Sequence, residues 1–131
     1  MDYLLDFEDV NEVIKNAPIG VHLVNAKGII IYANPFELAM LGYTEDEYVG
    51  HNTAEFQMDK NVLSDMMARL NRQEFLKNYP AKVKAKQGVK YFLINSSAYF
   101  KDGEFIHTRC FSSNIDQPVY DVFVLHSEYY N

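Results

Sequence analysis

Apolar positions change their period along this chain, and each change marks an element. In residues 4–16, Leu4, Phe7, Val10 and Ile14 recur three and four apart with acids between them. That spacing predicts one apolar stripe on a short amphipathic helix. Ala17-Pro18 ends it, because a residue before proline avoids the helical region. Residues 20–24 and 29–33 are rich in β-formers, and Asn25-Ala26-Lys27-Gly28 between them reads as a hairpin turn. Asn34-Pro35 then opens a helix with a capping side chain, and Glu37 stands where it can return the capping bond. Gly42 closes that helix. Thr44-Glu45-Asp46-Glu47 is a capping box for another short one, closed by Gly50. The strongest helical pattern covers residues 59–71, capped by Asp59, with Leu63, Met66, Met67 and Leu70 on one face.

After Pro80 the period falls to two. Ala81, Val83 and Ala85 alternate with Lys82, Lys84 and Lys86, which predicts a strand with one buried face and a charged face suited to a sheet edge. Gln87-Gly88 and Asp102-Gly103 turn the chain into two further strands, about 89–100 and 104–115. In the tail, Pro118 argues against a helix, and the β-branched and aromatic run 119–125 predicts an extra strand. The expected fold is α+β, with an antiparallel sheet interrupted by short helices. Its parts are a helix over 1–16, a domain over 17–116 and a tail over 117–131.

Composition narrows the function. The chain has 131 residues, 48% of them hydrophobic and 15% aromatic, which suits one globular core. No apolar run approaches the roughly 18 residues of a membrane helix. An acidic start is the opposite of a signal peptide, and a net charge of −6 argues against nucleic acid. The single cysteine, Cys110, fits a reducing cytoplasm.

The order of these motifs resembles a PAS domain from Ile14 to Asp116. The resemblance rests on Ala17-Pro18-Ile19-Gly20, Gly28-Ile29-Ile30-Ile31-Tyr32-Ala33-Asn34, Leu41-Gly42-Tyr43 and Val49-Gly50. It continues through Ile94-Asn95-Ser96-Ser97 and from Asp102 to Phe111, which is similar to PAS modules of bacterial sensor histidine kinases. It implies a five-stranded antiparallel sheet with the first strand in the middle, cupping the helices over a small cavity. It also implies a non-enzymatic sensory or dimerising role that passes a signal to a partner such as a histidine kinase or output domain.

Flavin-binding relatives use a Gly-x-Asn-Cys-x-x-Leu-Gln pattern. Here residues 50–57 keep Gly50, Asn52 and Gln57 but put Thr53 in place of the thiol, and threonine forms no flavin adduct. The bland reading, that Asn52 and Thr53 cap a short turn, is favoured. Haem-binding relatives draw a histidine from the long helix, and residues 59–71 contain none, with His51 the nearest substitute. Flavin and haem are both expected to be absent. His22 and His107 on neighbouring strands lack a third ligand, so no metal is expected.

The cavity candidates are Asn52, Phe56, Met67 and Leu70 from the helical side. From the sheet come Asn95, Ser97, Thr108, Cys110 and Ser112, of which Ser112 falls, by resemblance, at a ligand-facing position. Small polar groups among apolar neighbours imply a ligand, ordered water or mutual bonding. Cys110 as a redox sensor is disfavoured, since no cationic neighbour is expected on its face. The stripe Leu4, Phe7, Val10 and Ile14 packs on its own sheet or, as the slightly favoured option, across a homodimer. Two rival functions remain: a ligand-free interaction module, and a small cone-shaped enzyme related to ketosteroid isomerase. The latter expects its helices before the sheet and a buried acid or His base, whereas here the helices interrupt the strands and no general base is visible.

Overall fold

A computed structural model describes residues 7–130. Helix α1 (Val10–Lys15) is capped by Asp9 and leads through Pro18 into β1 (Gly20–Val24) and β2 (Ile30–Ala33). Helices α2 (Pro35–Leu41), α3 (Glu45–Tyr48) and α4 (Lys60–Asn71) follow, with a 3-10 turn at Thr53–Glu55 before α4. Strands β3 (Leu76–Ala85), β4 (Gly88–Lys101) and β5 (Glu104–Ile115) complete one antiparallel sheet in the order β2-β1-β5-β4-β3. β5 therefore takes the middle place expected of β1, and β1 lies inside the sheet beside it.

The caps form as the sequence dictates. Gly42 adopts φ 81° to end α2, a left-handed backbone that glycine accepts without a Cβ clash. Asn34 does more than cap. Its Oδ1 accepts from the Glu37 and Val21 amides, at 3.0 and 2.9 Å, and its Nδ2 donates to the Ile14 and Ile19 carbonyls, both at 3.0 Å. One fully buried amide thus ties α1, β1 and α2 together with every hydrogen bond satisfied.

Both outer edges of the sheet are covered. Residues 50–58 run as a strap from one to the other. Near β2, the Gly50 amide donates to the Ile30 carbonyl at 2.7 Å and the Thr53 amide to the Gly28 carbonyl at 2.8 Å. Near β3, the Lys84 amide donates to the Phe56 carbonyl at 2.7 Å and the Met58 amide to the Lys82 carbonyl at 3.1 Å. Lys82 and Lys84 are exposed on β3, as the alternation predicts.

The tail departs from expectation. Residues 117–126 form helix α5 (Gln117–His126), not a strand. Pro118 sits in its first turn, where a missing N–H has no intrahelical partner to lose, so the proline starts the helix instead of forbidding it. Tyr120 is buried against Tyr91, with ring centroids 4.9 Å apart. Beyond α5, Tyr129 stacks on Tyr79 at 4.3 Å and its hydroxyl accepts from the Lys77 amide, while the Tyr130 hydroxyl donates to the Pro80 carbonyl.

Candidate functional site

Between the sheet and the α4–strap layer lie two small chambers of about 30 and 40 Å³. His22, Thr53, Gln57 and Ile94 border both. Each has room for one to three water-sized molecules. The register of the strands decides which side chains reach them. Gly20 pairs with Ser112 and His22 with Cys110 across β1 and β5; Ile94 pairs with Ser112 and Ser96 with Cys110 across β4 and β5. Cross-strand partners share a face, so His22, Ser96, Thr108, Cys110 and Ser112 all point inward and are buried.

Asn95 and Ser97 point the other way. Asn95 is exposed and accepts a bond from the Asn78 amide at 3.1 Å, and Ser97 meets Arg109 at 3.3 Å. The cause is a bulge: Lys101 pairs with Glu104 and Phe100 with Phe105, but Tyr99 pairs with His107. Ile106 is the extra residue, and it shifts every later pairing by one, which exchanges the faces of β4. Ser96 takes the inward place instead.

The remaining candidates divide. Phe56 borders the 30 Å³ chamber, Met67 and Leu70 the 40 Å³ chamber, the latter with Thr108 and Cys110. Asn52 borders neither; its Oδ1 accepts from the Ala54 amide at 2.9 Å and caps the 3-10 turn. His107 lies on the sheet face opposite His22, against Tyr99, so the two histidines do not meet. Among the described residues no group of three potential metal ligands is assembled. On the outer face, Phe7 and Val10 are 71% and 74% exposed, whereas Ile14 is half-buried beside Val21, Leu23, Tyr32 and Phe111 around an apolar groove of about 430 Å³. Leu4 lies outside the described residues.

Glu37 is the buried acid that the sequence pattern hides. Its amide is capped by Asn34, but its side chain turns under β1 and is 1% exposed. Oε2 accepts the Tyr48 hydroxyl at 2.9 Å and lies 3.1 Å from His22 Nδ1, near enough for charge attraction but not aligned as a hydrogen bond. Oε1 has no partner, nor do Gln57 Oε1, Ser96 Oγ and Ser112 Oγ. Gly20 makes room for this carboxyl: a Cβ there would stand 2.2 Å from Oε1. Burial pushes His22 down, but the Cys110 sulfur and the Glu37 carboxyl outweigh it and hold the imidazolium well above its ordinary value. Burial and Glu37 together push the Tyr48 hydroxyl well up, so it stays a donor. The signal available in the sequence was a glycine at position 20 opposite the first turn of α2.

The chain belongs to the PAS fold family, whose pattern matches residues 8–113. It is similar to the PAS domain of an HTR-like protein from Haloarcula marismortui, with TM-score 0.70 and 21% identity over 81% of this chain and 88% of that one. A PAS domain from Colwellia psychrerythraea superposes with TM-score 0.72 at 12% identity, over 80% and 92% of the two chains. A light-oxygen-voltage domain studied with a flavin analogue gives TM-score 0.74 at 17% identity, over 95% and 97%. No curated protein matches the sequence. Chambers of 30 and 40 Å³ do not hold a three-ring flavin, and Thr53, which borders both, has no thiol with which to form a flavin adduct. Among the described residues no helix is long and apolar enough to cross a membrane.

Proposed function

We propose that this chain is a PAS sensory module that takes a small hydrogen-bonding ligand into the chambers between sheet and strap. One observation carries this reading: side-chain oxygens of Glu37, Gln57, Ser96 and Ser112 are buried in or beside the chambers without a hydrogen-bond partner. An unpaired buried polar group costs about 1–3 kcal/mol, so a core retains several of them only where something else bonds to them. Glu37 and Gln57 present acceptors, and the chamber volumes favour a compact molecule of a few heavy atoms with donors of its own. A ligand acts through its differential affinity for two arrangements of α2, α3 and the strap.

Native mass spectrometry of the freshly purified full chain tests the reading. A mass above that of the polypeptide, lost on denaturation, supports it; so does loss of that added mass in Ser112→Phe, whose ring fills the 30 Å³ chamber. A bare polypeptide mass overturns it.

A second reading has its own observation. Exposed Phe7 and Val10, before and at the start of the helix whose Ile14 borders the apolar groove, support signalling through a homodimer or an output partner such as a histidine kinase. Phe7→Glu combined with Val10→Glu should then shift a dimer to monomer in analytical ultracentrifugation. A sedimentation coefficient unchanged by the pair of substitutions counts against that interface. The module acts as a non-enzymatic device: the helices interrupt the strands, unlike a cone-shaped isomerase, and the buried acid Glu37 is held by Tyr48 and His22.

A further inference from the structure

Cys110 is disfavoured as a reactive thiol from the sequence because no cation is expected on its face. The register places one there. His22 on β1 is the direct partner of Cys110 on β5, so imidazole and sulfur leave the sheet side by side on the inner face. The Cys110 thiol donates to Thr108 Oγ1 at 3.2 Å, which also accepts from the Val24 amide at 3.0 Å. Once the thiol loses its proton, the Thr108 hydroxyl has its own proton to give to the sulfur. Ser96, its partner on β4, contributes a buried hydroxyl with no other bond. The thiol and His22 both border the 40 Å³ chamber, and so does Gln57, 9% exposed, with its unpartnered Oε1. From α4 the wall is Leu63, Met66, Met67 and Leu70, without charge; Glu37 of α2 and Tyr48 of α3 are the ionisable groups that face His22.

Burial pushes the thiol up, yet the facing imidazolium, with Ser96 and Thr108, more than offsets it and brings Cys110 down. The same contact raises His22. The cross-strand register that sets imidazole and sulfur side by side thus favours the charged form of each in the presence of the other.

We propose that Cys110 is a site of oxidation to sulfenic acid by hydrogen peroxide, with His22 as the proton donor. The thiolate sulfur attacks one peroxide oxygen. A sulfur–oxygen bond forms, the oxygen–oxygen bond breaks, and the departing hydroxide takes the proton from the His22 imidazolium and leaves as water. The sulfur is oxidised and the peroxide reduced. A chamber of 40 Å³ admits a molecule of two heavy atoms and excludes a second protein's thiol or a bulky thiol. The chain has a single cysteine, so the sulfenic acid has no internal thiol with which to condense, and it persists. This inference shares the cavity with the ligand reading but does not depend on it: a chain that retains no ligand still oxidises.

The full chain, reduced and desalted, is exposed to hydrogen peroxide and denatured at intervals in dimedone, with intact mass as the readout. The expected result is one adduct, absent from Cys110→Ser, formed at least about tenfold faster than on free cysteine at pH 7, where an ordinary thiol is only a few per cent thiolate. A rate equal to or below that of free cysteine overturns the proposal. His22→Gln should slow the reaction about tenfold with the melting curve still cooperative, and an unchanged rate overturns it. If His22→Gln does not fold, the native chain decides: its rate should fall less steeply from pH 8 to 6.5 than that of free cysteine, because the thiol is lowered. A fall that parallels free cysteine over that interval overturns it.

Discussion

The inner face of this sheet has two halves built on opposite terms. Around β3 and its neighbour Phe92 it is apolar and closed. Tyr79, Leu76, Ala81 and Phe92 are at most 1% exposed, and the one polar tip among these four, the Tyr79 hydroxyl, donates to Asp65 at 2.7 Å. Toward β1 and β5 it is polar and incomplete, with His22, Cys110 and Ser112 set against Glu37 and with several oxygens unpaired. The contrast is sharpest between two buried polar side chains. Asn34 spends every hydrogen bond on the scaffold, whereas Ser112, equally buried, spends none. Polarity in a core is costly only when unmatched, so the first half reports on stability and the second on chemistry.

Substitutions in the closed half should have the largest effects. Tyr79→Ala removes a buried ring and should cost about 3–5 kcal/mol, measured as a lower urea midpoint. On the other side, the fully bonded Asn34 belongs in the same range, because Asn34→Ala strands two amides and two carbonyls. If Tyr79→Ala costs less than about 1 kcal/mol, the division into halves fails; if Asn34→Ala does, the contrast between bonded and unbonded core polarity fails. At the boundary, Gly20→Ala drives a methyl to 2.2 Å from Glu37 Oε1 and 2.5 Å from Met40 Cε. A loss of about 1–3 kcal/mol is expected, partly recovered when Glu37→Ala is added.

A pH series sharpens the comparison further. His22 is raised in the folded state, so its contribution to stability is full below its ordinary value near 6.5 and is lost as pH rises through the raised value. The advantage of the native chain over His22→Gln should therefore be present at pH 6 and shrink on the alkaline side. An advantage that grows with pH would mean that the Glu37 and Cys110 contacts are misassigned. The smallest effect belongs to Ser112→Ala, which in the ligand-stripped chain removes a hydroxyl with no partner and should leave stability unchanged or raise it by up to about 1 kcal/mol. A loss above 1 kcal/mol would show that the serine is bonded after all.

Much of the scaffold was legible in the sequence, because its signals are local. The Asn34 and Thr44 caps, the Gly42 stop and the β3 alternation each involve residues within a turn or a strand of one another. The site was less legible because it depends on register. Ile106 looks like any strand residue, yet as a bulge it puts Ser96 inside and Asn95 and Ser97 outside. Glu37 reads as a capping acid, and only the packing of α2 beneath Gly20 turns it inward. Pro118 was legible in kind but not in place: one turn later it would have broken a helix, whereas at the start it begins one.

The strap over residues 50–58 has a consequence for how such a molecule reports its state. One short stretch of backbone is bonded to Ile30 at one rim and to Lys84 at the other, like a buckle on a belt. If a guest were to lift its centre, both rims would loosen together, and two places on opposite sides of the domain would receive the same news at the same moment. Amide exchange at Gly50 and Lys84 would then rise and fall as one, and a listener touching either rim would hear what happens in the middle.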